Sequence, residues 1–317
     1  MSPSAVELSF FFKKLINYET EFAFTIFYLV FKETRFPLLE NTDTHIYLLN
    51  SGKIITMDKN THLQMAVLDS SFHSIPERLF FSYSNLRSVV LPNNIQVIGG
   101  YSFFNCENLR EIVLPYGVSY INQYAFEGCS ELKQIFIPET VEHMGGQLFS
   151  GCHKLESISV PPLVKVISFG TFSNCFNLTH VDFHDNIKLI HGFAFFNCKS
   201  LRKIRLPSNL QFIEKSAFFW CQSLEEIVIP DNIRTLETQT FLGCSNLNTV
   251  IIGENVREIN YDCFKSCPNI KYIQFNRKIK RIEMGAFINS PIDSVVLPEG
   301  CVTSVDSFHP DTIIFWK

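Results

Sequence analysis

Apolar and polar positions in this chain repeat in one frame over most of its length. Residues 103–125, FFNCENLREIVLPYGVSYINQYA, show a single unit. Within it Leu109, Ile112 and Leu114 read L-x-x-I-x-L. The last two apolar positions lie two apart and so share one face of a short strand. Pro115 stops that strand, because proline has no N–H to give to a ladder. Val118 and Ile121 follow as V-x-x-I, and Ala125 precedes the next phenylalanine. The same frame returns as Leu132, Ile135, Ile137, Pro138 and again as Leu201, Ile204, Leu206, Pro207. A unit with one strand cannot bury its inward face alone, so each needs a neighbour stacked on either side.

Two residue types mark the frame. Phe80, Phe103, Phe126, Phe149, Phe172, Phe195, Phe218, Phe241, Phe264 and Phe287 are separated by 23 residues at every step. Cys106, Cys129, Cys152, Cys175, Cys198, Cys221, Cys244 and Cys267 keep the same interval. The composition then makes sense: ten of the 32 Phe and eight of the 10 Cys in the 317 residues belong to one lattice. A fixed period of this length marks a solenoid or array. It replaces the two-domain estimate that length alone would give with one elongated stack.

The frame L-x-x-I-x-L-P-x-x-V-x-x-I…A-F-x-x-C resembles the BspA-like, or Treponema-type, leucine-rich repeats, over residues 63–308. The resemblance implies a repeat solenoid of the α/β class, rich in β: a curved rod with a parallel strand ladder on its concave face. About ten to eleven coils fill residues 61–317, with a degenerate C-terminal cap. At about 4.8 Å per strand, ten coils make a rod on the order of 45–50 Å long.

The ends depart from the frame. Leu63, Ala66 and Leu68 form a weakened first L-x-x-L-x-L, and Tyr83 stands where cysteine is expected. Ser290 replaces the last cysteine, Ile292, Val295 and Leu297 sit one residue early, and the frame decays through Val302, Val305 and Phe308. Residues 1–60 lie outside the lattice. Their Phe-rich stretch FFFKKLINYETEFAFTIFYLVFKE is assigned as a capping helix, and HIYLLNSGKIITMD as a hairpin turning at Asn50-Ser51-Gly52. The apolar run from Phe22 to Phe31 is too short for a membrane span of about 20 residues. Glu19 and Glu21 interrupt what would otherwise read as a secretory signal.

Candidate chemistry is sparse. Stacked cysteines have parallel Cβ vectors, which suits neither a disulfide nor a tetrahedral metal set. They read as packing, with Cys263 and Cys267 the only pair placed for redox work. His180, Asp182, His184, Asp185 and His191 surround the one coil where His184 takes the proline position. That group reads as solvated polar residues, with a zinc or copper site as the sharper alternative. No nucleophile elbow, phosphate loop or H-E-x-x-H helix occurs. The chain reads as non-enzymatic, with no cofactor. A net charge of −4 gives no electrostatic footprint for nucleic acid. Asn177-Leu178-Thr179 is the single N-x-[ST] sequon.

Binding is what remains. The outward positions of L-x-x-I-x-L form three columns along the ladder. Arg110, Val113, Lys133 and Phe136 set basic residues beside an apolar strip, and Val228 with Ile251 form a smaller strip. These six are the candidate partner-binding residues, with Phe136 and Arg110 as anchors. Arg202 with Glu225, and Lys203 with Glu226, are placed to neutralise each other across the ladder. The family resemblance implies a surface antigen with a role in cell adhesion, whose partner is a host-matrix protein, another cell-surface protein or a glycan. The rival is an intracellular scaffold or adaptor whose reduced thiols suit the cytoplasm.

Overall fold

The computed structural model describes residues 45–49 and 63–317. It is a β-solenoid of about eleven turns, with parallel strands and no helix among the described residues. The expected fold is therefore present at its β-rich limit.

Most coils have two short strands instead of one, and the coils of residues 132–138 and 201–207 keep only the second. The first comes from L-x-x-I-x-L, as in Ser88–Val90, Glu111–Ile112, Ser157–Ser159, His180–Asp182 and Glu226–Val228. Partners stack in register one repeat apart, so Glu226 faces Thr249 and Thr249 faces Tyr272. The second comes from V-x-x-I, as in Val97–Ile98, Tyr120–Ile121 and His143–Met144, again in register. Between the two, the Val118 N–H closes a tight turn onto the Pro115 carbonyl at 3.0 Å. In V-x-x-I the outer apolar residues point inward and both middle residues point out, which gives the coil a second displayed face.

The third side of the coil is turn. It carries two left-handed residues four apart, such as Tyr101 with Asn105 and Tyr124 with Gly128. That geometry turns main-chain N–H groups toward the following coil. Phe103 thus donates to the Ala125 carbonyl at 2.8 Å, while strand residues such as Arg110 donate back to Arg87 at 3.0 Å. The backbone is satisfied between coils, so no helix is needed to cover this side.

The phenylalanines form a continuous buried spine. From Phe80 to Phe287 successive rings lie 5.1–5.9 Å apart with planes within 22°. Such offset stacking adds to the large area each ring buries. Phe308 extends the spine by one ring, 5.0 Å from Phe287.

Cysteine completes the same corner. Each lattice thiol is buried and donates to the main-chain oxygen of a spine phenylalanine 26 residues earlier, from Cys106 to Phe80 through Cys267 to Phe241. Ser290 takes over with a hydroxyl bonded to the Phe264 carbonyl at 2.7 Å. All ten cysteines are free.

At the N-terminal end Leu63, Ala66 and Leu68 are buried in the strand Leu63–Leu68. That strand pairs in parallel with His45–Leu49, so the ladder reaches into the N-terminal segment. The expected capping helix, and the turn and return arm of the expected hairpin, lie outside the described residues. At the C-terminal end the strand Ser294–Leu297 pairs in parallel with Ile313–Trp316. The IIFW segment is thus a further rung of the first ladder.

Candidate functional site

The first ladder displays its columns because the inward positions are fixed by the core. Ile112, Ile135, Ile227 and Val250 are buried, which turns the residues on either side of each to the outside. Phe136 is 70% exposed and Val113, one coil earlier, 51%. Val228 is likewise exposed, and Ile251 beside it is half-buried. The two apolar strips are separated by the polar coils of Ser159, Asp182 and Arg205, all exposed.

Charges next to the larger strip are organised by one carboxylate. Glu131 binds the Lys154 ammonium at 2.5 Å and the Arg110 guanidinium at 3.7 Å. The Lys154 hydrogen bond, with the nearby charges of Lys154, Arg110 and Lys133, holds the Glu131 carboxyl below the usual range. Arg110, three residues before Val113, is thereby drawn toward the following coil. Such exposed pairs orient side chains more than they stabilise the fold. Arg202–Glu225 and Lys203–Glu226 form no ion pair at this face. An open hollow of about 280 Å³ beside them is lined by Glu225, Asn246, Asn248, Asn269 and Lys271.

The other candidates separate. His180 and Asp182 stay exposed on the first ladder, whereas His191 lies on the far side of its coil and binds Glu214 at 2.9 Å. Asp185 accepts the Ser208 N–H at 2.9 Å. Among the described residues no group of three or more His, Cys, Asp or Glu is gathered as metal ligands. Burial raises the Cys263 thiol far above its ordinary value and pushes Cys267 up to about 12. Both stay protonated, which removes the thiolate that redox chemistry requires. Asn177 is exposed at the strand entry.

Sequence reasoning missed the outward columns of the second ladder. The signal was the paired middle positions of V-x-x-I, such as Gln211 and Phe212 or Arg257 and Glu258.

The profile of the BspA type leucine rich repeat region matches residues 58–179 and 165–294, in six copies. The chain belongs to this family. Among solved structures it is similar to a leucine rich cell surface protein from Faecalibacterium prausnitzii, at 22% identity and a TM-score of 0.51, over 78% of this chain and 79% of that one. It is also similar to a leucine-rich repeat protein from Bacteroides ovatus, at 23% identity and a TM-score of 0.49, over 77% and 87% of the two chains. The T. pallidum leucine rich repeat protein aligns at 21% identity and a TM-score of 0.37, over 66% and 79%. The first of these likenesses shows a shared fold. No curated protein matches the chain. As a BspA-type repeat protein, the chain is a member of a repeat class built for display of an extended surface. No helix among the described residues is long and apolar enough to cross a membrane.

Proposed function

We infer that this BspA-type protein is a non-enzymatic binding module. It engages a protein partner through the first ladder, centred on Phe136 and Val113 with Arg110 and Lys133 at the rim. The observation that carries this reading is Phe136, an aromatic ring 70% exposed in the coil between the first-ladder strands Glu111–Ile112 and Ser157–Ser159, one coil on from exposed Val113 and from Arg110, whose guanidinium is held by Glu131. Aromatic and arginine side chains are the usual anchors of interfaces, and apolar strips rimmed by charge mark contact surfaces. Val228 and Ile251 supply a second contact further along the rod. The solenoid core is spent on packing, and the hollow beside Glu225 brings together no nucleophile with a base. A cell-surface role is in keeping with the F. prausnitzii cell surface protein of the same fold.

A second reading is an intracellular scaffold, favoured by ten cysteines that are all unbridged. Surface biotinylation of intact cells separates the two: labelling before lysis supports the surface role, and labelling only after lysis supports the scaffold. The binding site itself is tested by Phe136→Ser in the full chain, with circular dichroism as the folding control. Loss of the partner from a pulldown supports the site, and unchanged recovery removes Phe136 from it.

A further inference from the structure

The second ladder carries a column of cations in single file. Lys165, Lys188, Gln211, Arg234, Arg257 and Lys280 occupy the same outward position in six successive coils. Their main chains are tied in two runs, Lys165 through Gln211 and Arg234 through Lys280. Lys188 donates to the Lys165 carbonyl at 2.8 Å, Arg257 to Arg234 at 2.7 Å and Lys280 to Arg257 at 2.8 Å. Lys188 is half-buried, and the other four basic residues are exposed. At about 4.8 Å per coil, the five steps span about 24 Å.

Like charges stacked directly across a ladder repel, so such a column costs stability unless something offsets it. No carboxylate among the described residues pairs with it directly. None of the five basic side chains forms an ion pair among the described residues. Glu142 stands in the same column one coil before Lys165 and makes no ion pair with it, and other carboxylates around the column are bonded elsewhere. Glu214 accepts from His191 and from the Gly192 N–H at 3.0 Å, Glu237 accepts from Asn260 at 3.0 Å, and Glu283 binds Arg281 at 3.2 Å and Ser304 at 3.0 Å. Asp231 accepts the Glu254 N–H at 2.8 Å. Glu258 stands in register with Arg281 and makes no ion pair with the column. The first ladder differs: there Arg110 and Lys154 converge on Glu131.

We propose that this column is a binding site for a linear anionic polysaccharide lying along the solenoid axis. The geometry selects among polyanions. An extended acidic peptide presents side chains on one face only every second residue, about 6.6 Å apart, out of step with the coils. Single-stranded nucleic acid needs aromatic platforms interleaved with the cations. Here Phe212 is the single aromatic among the column's strand neighbours Val166, Leu189, Phe212, Thr235, Glu258 and Arg281. An anionic membrane is a plane, and acidic residues flank this column on both sides. A glycan chain carrying carboxylate or sulfate groups at regular short intervals is narrow enough to follow one file of cations. Its pyranose faces also have Phe212, 62% exposed, to pack against midway.

The test is titration of the full chain with a sulfated glycosaminoglycan, a polyuronate, a neutral polysaccharide of equal length, a single-stranded oligonucleotide and anionic phospholipid vesicles. Binding to one or both anionic glycans is expected, weakening steeply with salt, and the stronger arm identifies sulfate or carboxylate as the group recognised. Arg234→Gln with Arg257→Gln should lower that affinity at least tenfold, while Arg202→Gln with Arg205→Gln on the first ladder leaves it unchanged. Circular dichroism confirms that both variants fold. The proposal is overturned if neither glycan binds at low salt, or if the oligonucleotide or vesicles bind more tightly than both glycans. Equal losses from the two double variants overturn it as well.

Discussion

The thiol of Cys198 donates to the main-chain oxygen of Phe172 at 3.1 Å, and that oxygen also accepts the Cys175 N–H at 3.1 Å. The phenylalanine column and the cysteine column are therefore one device. Each ring fills the core, and its carbonyl is the anchor for the thiol of the next coil. Ser290 shows which part of cysteine the position uses, because its hydroxyl makes the same bond to Phe264.

Cys198→Ala should lower stability by about 1–2 kcal/mol, from one lost hydrogen bond and a small cavity. Cys198→Ser should cost less, since the bond to Phe172 is kept. Denaturant midpoints of the two variants check the order. A serine variant weaker than the alanine variant would show that thiol packing, and not the bond, sets the residue.

Burial pushes the Cys221 and Cys267 thiols up to about 12, and raises the other lattice thiols as well. An unfolded cysteine ionises near 8.5. The folded state thus holds protons that the unfolded state releases. The stability these thiols confer is fully present below about pH 8.5 and is lost as pH rises toward 12. The slope is on the order of 1 kcal/mol per thiol per pH unit. Unfolding midpoints from pH 7 to 11 should fall progressively above pH 8.5. A midpoint that holds level through pH 10.5 would contradict the burial of the column.

Phe195 stacks between Phe172 at 5.3 Å and Phe218 at 5.1 Å and is fully buried. Phe195→Ala should cost about 3–5 kcal/mol. Because each coil contacts only its neighbours, the loss should also split the transition, with the two halves of the array unfolding separately. A calorimetric trace identical to the wild type would mean that the spine does not carry the fold.

The fold was legible because a solenoid writes itself into the sequence once per coil. Phe103, Cys106, Leu109 and Ile112 recur at one interval, and each marks an inward position that a neighbour must cover. The second ladder was harder to see. Val118 and Ile121 are three apart, a spacing that matches no strand alternation, and only pairing with the coils on either side makes Tyr120–Ile121 a strand. The third side was hidden for another reason. Its left-handed positions are filled by residues as different as Tyr101, Gln147 and Phe193, so local preference gives no signal. Hydrogen bonds between coils override it. Among surface residues the columns of the first ladder could be read from the frame. The state of each charge could not, since Glu131 reaches Lys154 across 23 residues of sequence while Arg202 leaves Glu225 alone.

Binding through the first ladder is tested most directly by a photo-cross-linking side chain placed at Phe136 in the full-length protein and irradiated in the cell that makes it. The control carries the same group at Phe212 on the second ladder. A discrete protein adduct from position 136 that is missing from position 212 is the predicted result. No adduct at 136, or the same adducts from both positions, would contradict the assignment of the first ladder as the protein-binding face.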